Sequence, residues 1–414
     1  MTNLTPSRNF LIGAGFIVAL GAIGVGSSLL DHMGAQAQGM QAPRYEVDPL
    51  WPKPLPNHWI LGNVIGVSVD ADDHIWIIHR GSASLSVHEN QLEKKAGDCC
   101  AAAPPVLEFD QAGNLLRHWG GPATGYDWPT GGEHGIFVDY KGNVWIGGSG
   151  RADSHVLKFT KDGKFLMQVG KPGVRRKPGA AAGAGEGSVA GFEGNSNDPN
   201  NFGRVAKITV DQKENEAYLA DGYLNKRVAV IDADTGKMKR WWGAYGNKPD
   251  DTPLPAYDPS QPHAQQFRIP VHCADMSVDR LVYVCDRVSD RLQVFTPDGK
   301  FVKEAYYHVN TKSGGSVWDV AFSKDPQQKY LFMADGVNNK VRIIDRQSLK
   351  ELTNFGDGGR QPGQFHAVHS IATDHAGNIY TTETYEGKRL QRFVLKGLSP
   401  VTKMDQGVLW PTSR

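Results

Sequence analysis

Short runs in which apolar and polar residues alternate, each closed by a polar turn, account for most of the chain. From residue 62 one unit recurs: a small or apolar stretch ending near an aspartate, a turn, an apolar run, a second turn, and another apolar run closed by an Asp-Gly-Lys-like turn. The copies are GVSVDADDHIWIIHR from Gly66, GIFVDYKGNVWIGG from Gly135 with HVLKFTKDGKFLMQVG after it, KITVDQKENEAYLADGYLNKRVAVIDADTGKMKRWWG from Lys207, CADMSVDRLVYVCDRVSDRLQVFTPDGKFVKEAYY from Cys273, SVWDVAFSKDPQQKYLFMADGVNNKVRIIDRQSLKELTNFG from Ser316 and SIATDHAGNIYTTETYEGKRLQRFVL from Ser370. A period of two bounded by Asp-Gly, Gly-Asn and Asn-Lys turns predicts antiparallel strands rather than helices. Units of roughly 40 to 50 residues built from such strands predict propeller blades. The expected fold is therefore all-β, a six-bladed β-propeller. RYEVDPLWP from Arg44 has the same alternation, and it is expected to add the outermost strand of the last blade beside QRFVLKG from Gln391, closing the ring.

Composition narrows the function. The chain has 45 basic and 44 acidic residues, which leaves no basic footprint for nucleic acid. Arg8 precedes an apolar stretch from Phe10 to Leu30, and Ala35-Gln36-Ala37 offers a small-x-small cleavage site. Residues 1–37 thus read as a secretory signal and 38–414 as one propeller domain, periplasmic or secreted and expected to be monomeric. Membrane contact would come only through that N-terminal segment, should it stay uncleaved. An oxidising compartment suits the four cysteines. Cys273 and Cys285 flank a turn near Asp279 and could face each other across an antiparallel pair, while the adjacent Cys99 and Cys100 could pair, bind a ligand or be loosely structural.

The chemistry lies in one register. Five residues before the turn-entering positions Asp70, Asp139, Asp211, Ser277, Ser323 and Asp374 stand Ile65, His134, Ala206, His272, Trp318 and His369. Inner strands of a propeller line its central channel, so a histidine on every second blade brings three imidazoles to one axis. That set suits a zinc-like ion with positions left open for a ligand. His134, His272 and His369 are the candidate metal ligands; most of the other histidines read as ordinary core or surface residues. A second register, after the second apolar run, brings Arg80, Tyr223 and Arg287 to blade ends, where taken singly they would read as solvated charges and an aromatic plug. Asp221, Asp286 and Asp335 read as recurrent turn and inter-blade hydrogen-bond residues.

These residues also carry a resemblance. IIHRG at Arg80, EHGIFVDYKGNVW at His134, ADGYLNKR at Tyr223, VHCADMS at His272 with CDRVSDRLQVF at Arg287, and VHSIATDHAGNIY at His369 resemble, in order from about residue 60 to the end, the NHL-repeat propellers of the peptidyl-α-hydroxyglycine α-amidating lyase family. The resemblance implies a lyase that cleaves a C–N bond at a hydroxylated carbon of a small or peptide-like substrate, releasing an amide and glyoxylate. It implies Zn2+ on His134, His272 and His369, Tyr223 as the base, Arg287 as the cation supporting the ionised phenol, and Arg80 as the partner of the substrate carboxylate. An unperturbed phenol ionises near 10 and needs a neighbouring cation to act near neutrality, and an arginine can hold a carboxylate through paired hydrogen bonds. The chain departs from the family in four respects. Ala367 stands where the family has a pocket methionine, Ser370 where it has an aspartate of a structural Ca2+ site, and Leu224 where it has a cysteine. Insertions at about residues 89 to 106, 171 to 200 and 244 to 265 have no counterpart in it. Two other functions fit the same fold: an NHL-repeat propeller that binds a ligand or protein without turnover, with the glycine-rich stretch from Gly179 as a contact loop or a disordered excursion, and a metal-dependent hydrolase.

Overall fold

The computed structural model describes residues 40–179 and 190–411, so the expected signal segment and residues 180–189 of the glycine-rich stretch lie outside the described residues. Six four-stranded antiparallel sheets follow one another along the chain. Their inner strands are Val64–Val69, Glu133–Val138, Val205–Asp211, Val271–Met276, Asp319–Phe322 and Val368–Thr373. Each inner strand packs on the next, and the sixth packs on the first, so the sheets form a closed ring. This is the all-β six-bladed propeller that the repeat predicts.

The seam closes as expected. Gln41–Asp48 pairs antiparallel with Arg389–Pro400 as the outermost strand of blade six, with Val47 opposite Phe393 and Asp48 opposite Arg392. Tyr45 and Val47 bury into the core between blades five and six beside Phe332, Phe355 and Phe393. Burial at this seam therefore depends on the N-terminal strand being present.

Two recurrent devices build the blades. Asp70, Asp139 and Asp374 each accept a side-chain bond from the aromatic residue six positions on, namely Trp76, Trp145 and Tyr380, while also accepting backbone N–H groups of their own turn. Asp221, Asp286 and Asp335 are each buried and paired with an arginine of the next strand, Arg227, Arg291 and Arg342. Asp221 and Asp286 also accept the N–H groups of Gly203 and Arg268 in the segment leading into their blade. To the turn and hydrogen-bond reading of these three aspartates the structure thus adds a buried charge pair with arginine.

Cys273 and Cys285 face each other across the blade-four pair and are disulfide-bonded, and Cys99 is bonded to its neighbour Cys100. The second bond lies in the blade-one insertion, whose strand Ala101–Ala102 pairs with Trp59–Ile60. The described end of the glycine-rich stretch is not a disordered excursion. Phe192 is buried under the Arg204 guanidinium, and Ser196 donates to Asp251 and accepts from the Lys226 N–H. Polar side chains of two other segments hold it down. No helix among the described residues is long and apolar enough to cross a membrane.

Candidate active site

A local irregularity aims the histidine register at the axis. In blades one, two, three, four and six, pairing between the inner and second strands slips between Val64 and Gly66, Glu133 and Ile136, Val205 and Lys207, Val271 and Cys273, and Val368 and Ile371. Each slip brackets the register position, and an extra residue at a bulge redirects a side chain that regular alternation would send elsewhere. The strands also approach closely there. A Cβ at Gly66 would lie 2.7 Å from the His134 carbonyl oxygen and one at Gly135 2.7 Å from that of Ala206, which is why glycine follows the register in blades one and two.

The three imidazoles meet as the register predicts, all buried, with ring centroids 5.1 Å apart for His134 and His272, 4.9 Å for His134 and His369, and 4.8 Å for His272 and His369. The other three blades orient them. His134 Nδ1 lies 2.7 Å from the Ala206 carbonyl, His272 Nδ1 2.5 Å from that of Trp318, and His369 Nδ1 2.7 Å from that of Ile65. A carbonyl only accepts, so each Nδ1 carries the proton and each Nε2 presents its lone pair. Burial holds all three well below the ordinary imidazole range, His369 at about 3, with Arg80 and Arg287 adding to the effect on His134 and His369. The rings are therefore neutral at pH 7. One ligand atom from each lies within 4.8 Å of the others, so the set could hold a metal ion. Three neutral nitrogen donors with fixed tautomers fit a zinc-like ion.

Tyr223 and Arg287 come to the same point. The Tyr223 hydroxyl is 2.9 Å from His134 Nε2 and 3.0 Å from His272 Nε2, and it accepts from Arg287 Nη1 at 3.1 Å. The Arg287 guanidinium lies 4.4 Å from the centre of the Trp318 ring, so this register residue without a histidine serves as its platform. Arg80 is buried beside the site, its Nε donating to the Glu133 carbonyl at 3.2 Å and its Nη2 to Ser149 Oγ at 3.1 Å. The structure thus brings His134, His272, His369, Tyr223 and Arg287 to one point and anchors Arg80 on the carbonyl of the residue before His134.

A calcium ion does not fit at Ser370. The Lys207 ammonium occupies that place, 2.5 Å from Asp319 Oδ1 and 2.9 Å from Asp275 Oδ1, while Asp319 Oδ2 accepts from Ser370 Oγ at 2.6 Å and the Ile371 N–H at 3.0 Å. Burial opposes the lysine's charge, but the two carboxylates outweigh it and hold its pKa above the ordinary amine range. This tethered cation borders the small cavity under the histidines. Sequence reasoning missed it, and also missed Glu133, which is buried with Oε1 accepting from Trp128 Nε1 at 2.8 Å and is pushed by burial up to about 6. Lysine one residue after the register in blade three and aspartate one residue after it in blade five were the available signals.

No protein-family model matches the chain. It is 26% identical over 323 residues to NHL repeat-containing protein 3 of Mus musculus, covering 76% of this chain and 70% of that protein. The chain is similar to NHL-repeat propellers. It is also 23% identical over 338 residues to peptidylglycine alpha-amidating monooxygenase of Rattus norvegicus, covering 78% of this chain but only 30% of that protein. Among solved structures, a streptogramin B lyase covers 87% of this chain and is itself covered over 99% of its length, at 13% identity and a TM-score of 0.47.

Proposed function

We propose that the chain is an exported metal-dependent lyase that cleaves the C–N bond at a hydroxylated carbon of a small or peptide-like substrate. The observation that carries this reading is the Tyr223 hydroxyl, within 3.1 Å of both the Arg287 guanidinium and two imidazole Nε2 atoms. Similarity to a protein whose name declares α-amidation supports it. His134, His272 and His369 would hold a zinc-like ion, which when bound makes a neighbouring hydroxyl more acidic and polarises it.

Tyr223, with Arg287 supporting its ionised form, would remove the substrate hydroxyl proton. The electron pair left on oxygen forms the new C=O bond, the C–N bond breaks, and the departing amide nitrogen takes up the proton that Tyr223 removed, which restores the base. For an N-acyl-α-hydroxyglycine the products are the primary amide and glyoxylate. Arg80 holds the substrate carboxylate and so fixes which face of the carbon meets Tyr223.

The test pairs metal content with turnover. The mature protein is expected to bind one zinc-like ion per chain, lost in His134→Ala, His272→Ala and His369→Ala, and to release glyoxylate from α-hydroxyglycine derivatives. Tyr223→Phe should keep the metal and lose about 100- to 10,000-fold in kcat, the usual range for removing a general base. A metal-loaded protein that turns over none of these compounds would leave a binding propeller. Hydrolysis of an ester or lactone at the same metal would replace the lyase by a hydrolase.

A further inference from the structure

The blade-one insertion forms one wall of a cavity of about 490 Å³ whose lining includes Arg80 and Glu133, the residue before His134. Trp59, Leu92, Pro122 and Trp128 give it apolar walls, and Arg80 and Glu133 border it. Its size falls in the range that holds small-molecule ligands. Leu92 is placed by its N–H bond to the Cys100 carbonyl, and the insertion is tied across to blade six by a Lys388–Glu89 ion pair of 2.6 Å.

Glu133 supplies the second observation. It is only 3% exposed, its Oε1 accepts from Trp128 Nε1, and its Oε2 has no hydrogen-bond partner among the described residues. A buried carboxylate oxygen left without a donor is costly to keep, so a donor arriving with a ligand would complete it. Two indole rings and a proline favour a flat group. Glu133 is joined to the site at both ends: its carbonyl accepts from Arg80, and the next residue is His134.

We infer that this cavity is the subsite for the part of the substrate that is not cleaved, and that it selects a flat apolar group bearing one hydrogen-bond donor, which Glu133 Oε2 accepts. A hydroxyaryl group is the simplest such ligand. The inference rests on the lyase reading for the position of the cleaved bond, but the subsite itself is defined by binding.

The experiment measures dissociation constants of the metal-loaded protein for three non-cleavable probes that share a carboxylate for Arg80: N-(4-hydroxyphenylacetyl)glycine, N-(phenylacetyl)glycine and N-acetylglycine. The hydroxylated probe should bind at least tenfold more tightly than its phenyl counterpart, and N-acetylglycine most weakly. Ala102→Phe, which fills the cavity from the insertion, should weaken both aryl probes tenfold or more and leave N-acetylglycine unchanged. Glu133→Gln should erase the preference for the hydroxyl at unchanged metal content. Should that variant lose its metal, the 4-methoxy probe on the parent protein tests the same contact and should bind no better than the phenyl probe. Equal affinity for the three probes, no binding of any, or aryl affinity unmoved by Ala102→Phe would overturn the inference. None of these readouts requires turnover. An aryl preference without glyoxylate release from any substrate would sink the lyase and leave the subsite, whereas turnover without an aryl preference would do the reverse.

Discussion

Lys207 shows how one side chain can settle the chemistry of a channel. Its ammonium pairs with two carboxylates from neighbouring blades, the half-buried Asp275 and the buried Asp319. Removing one member of such a buried set leaves uncompensated charge, so Lys207→Met should destabilise the protein by roughly 3 to 5 kcal/mol in urea unfolding. Adding Asp275→Asn should recover part of that loss; a double variant no better than the single would show that charge is not the cause. His79 makes a different kind of statement. Its Nδ1 accepts the N–H groups of Gly62 and Gly81, its Nε2–H donates to the Pro104 carbonyl, and burial pushes its pKa down to about 4. The folded value lies below the ordinary one, so protons bind the unfolded chain first. The contribution of neutral His79 is complete above about pH 6.5 and is lost as pH falls toward 4, which amounts to about 2 kcal/mol by pH 5. His79→Gln can keep the bonds without titrating, and should lose that much less stability than the parent between pH 7.5 and pH 5. Parallel pH profiles would refute the assignment.

Among elements, the hairpin of blade four bears most directly on the site, because Cys273 follows the candidate ligand His272 and is bonded to Cys285 across the turn. A bond closing a loop of this size contributes about 3 kcal/mol through the unfolded state. Cys273→Ala with Cys285→Ala should therefore lower the urea midpoint; an unchanged midpoint would mean that the strand pairing alone holds the hairpin. The elements also show what can be read from sequence. Blade number, the closing strand and the three-histidine register are legible because each is a local pattern repeated at a fixed offset. The Cys273–Cys285 pairing is legible as an option because a turn separates the two residues. The slips that aim the imidazoles, the lysine between two aspartates and the open oxygen of Glu133 are different. Lys207 meets Asp319 across 112 positions, and the Glu133 cavity is walled by an insertion outside the repeat. Such contacts depend on how blades stack, which periodicity does not encode.

At the scale of the ring, the site and the stability of the fold are one problem. His369 on blade six is oriented by the Ile65 carbonyl of blade one, so one side of the imidazole triangle crosses the seam that Gln41–Asp48 closes. Opening the ring should loosen His369 as well as the seam. Deleting residues 40–48 is thus expected to lower the melting temperature of the metal-free protein and also to abolish the rise that metal produces. If the three histidines hold the ion as proposed, in the intact protein an ion at a hundred times its dissociation constant would add about 2.7 kcal/mol of stability, because it would bind the folded chain and not the unfolded one. The deletion variant should show little of this gain, since two imidazoles remain oriented and the third does not. The measurement is the melting temperature of both proteins with and without zinc. Equal zinc shifts, even on a lowered baseline, would show that the ligand triangle survives an open seam and that blades two, four and six hold their histidines independently of closure.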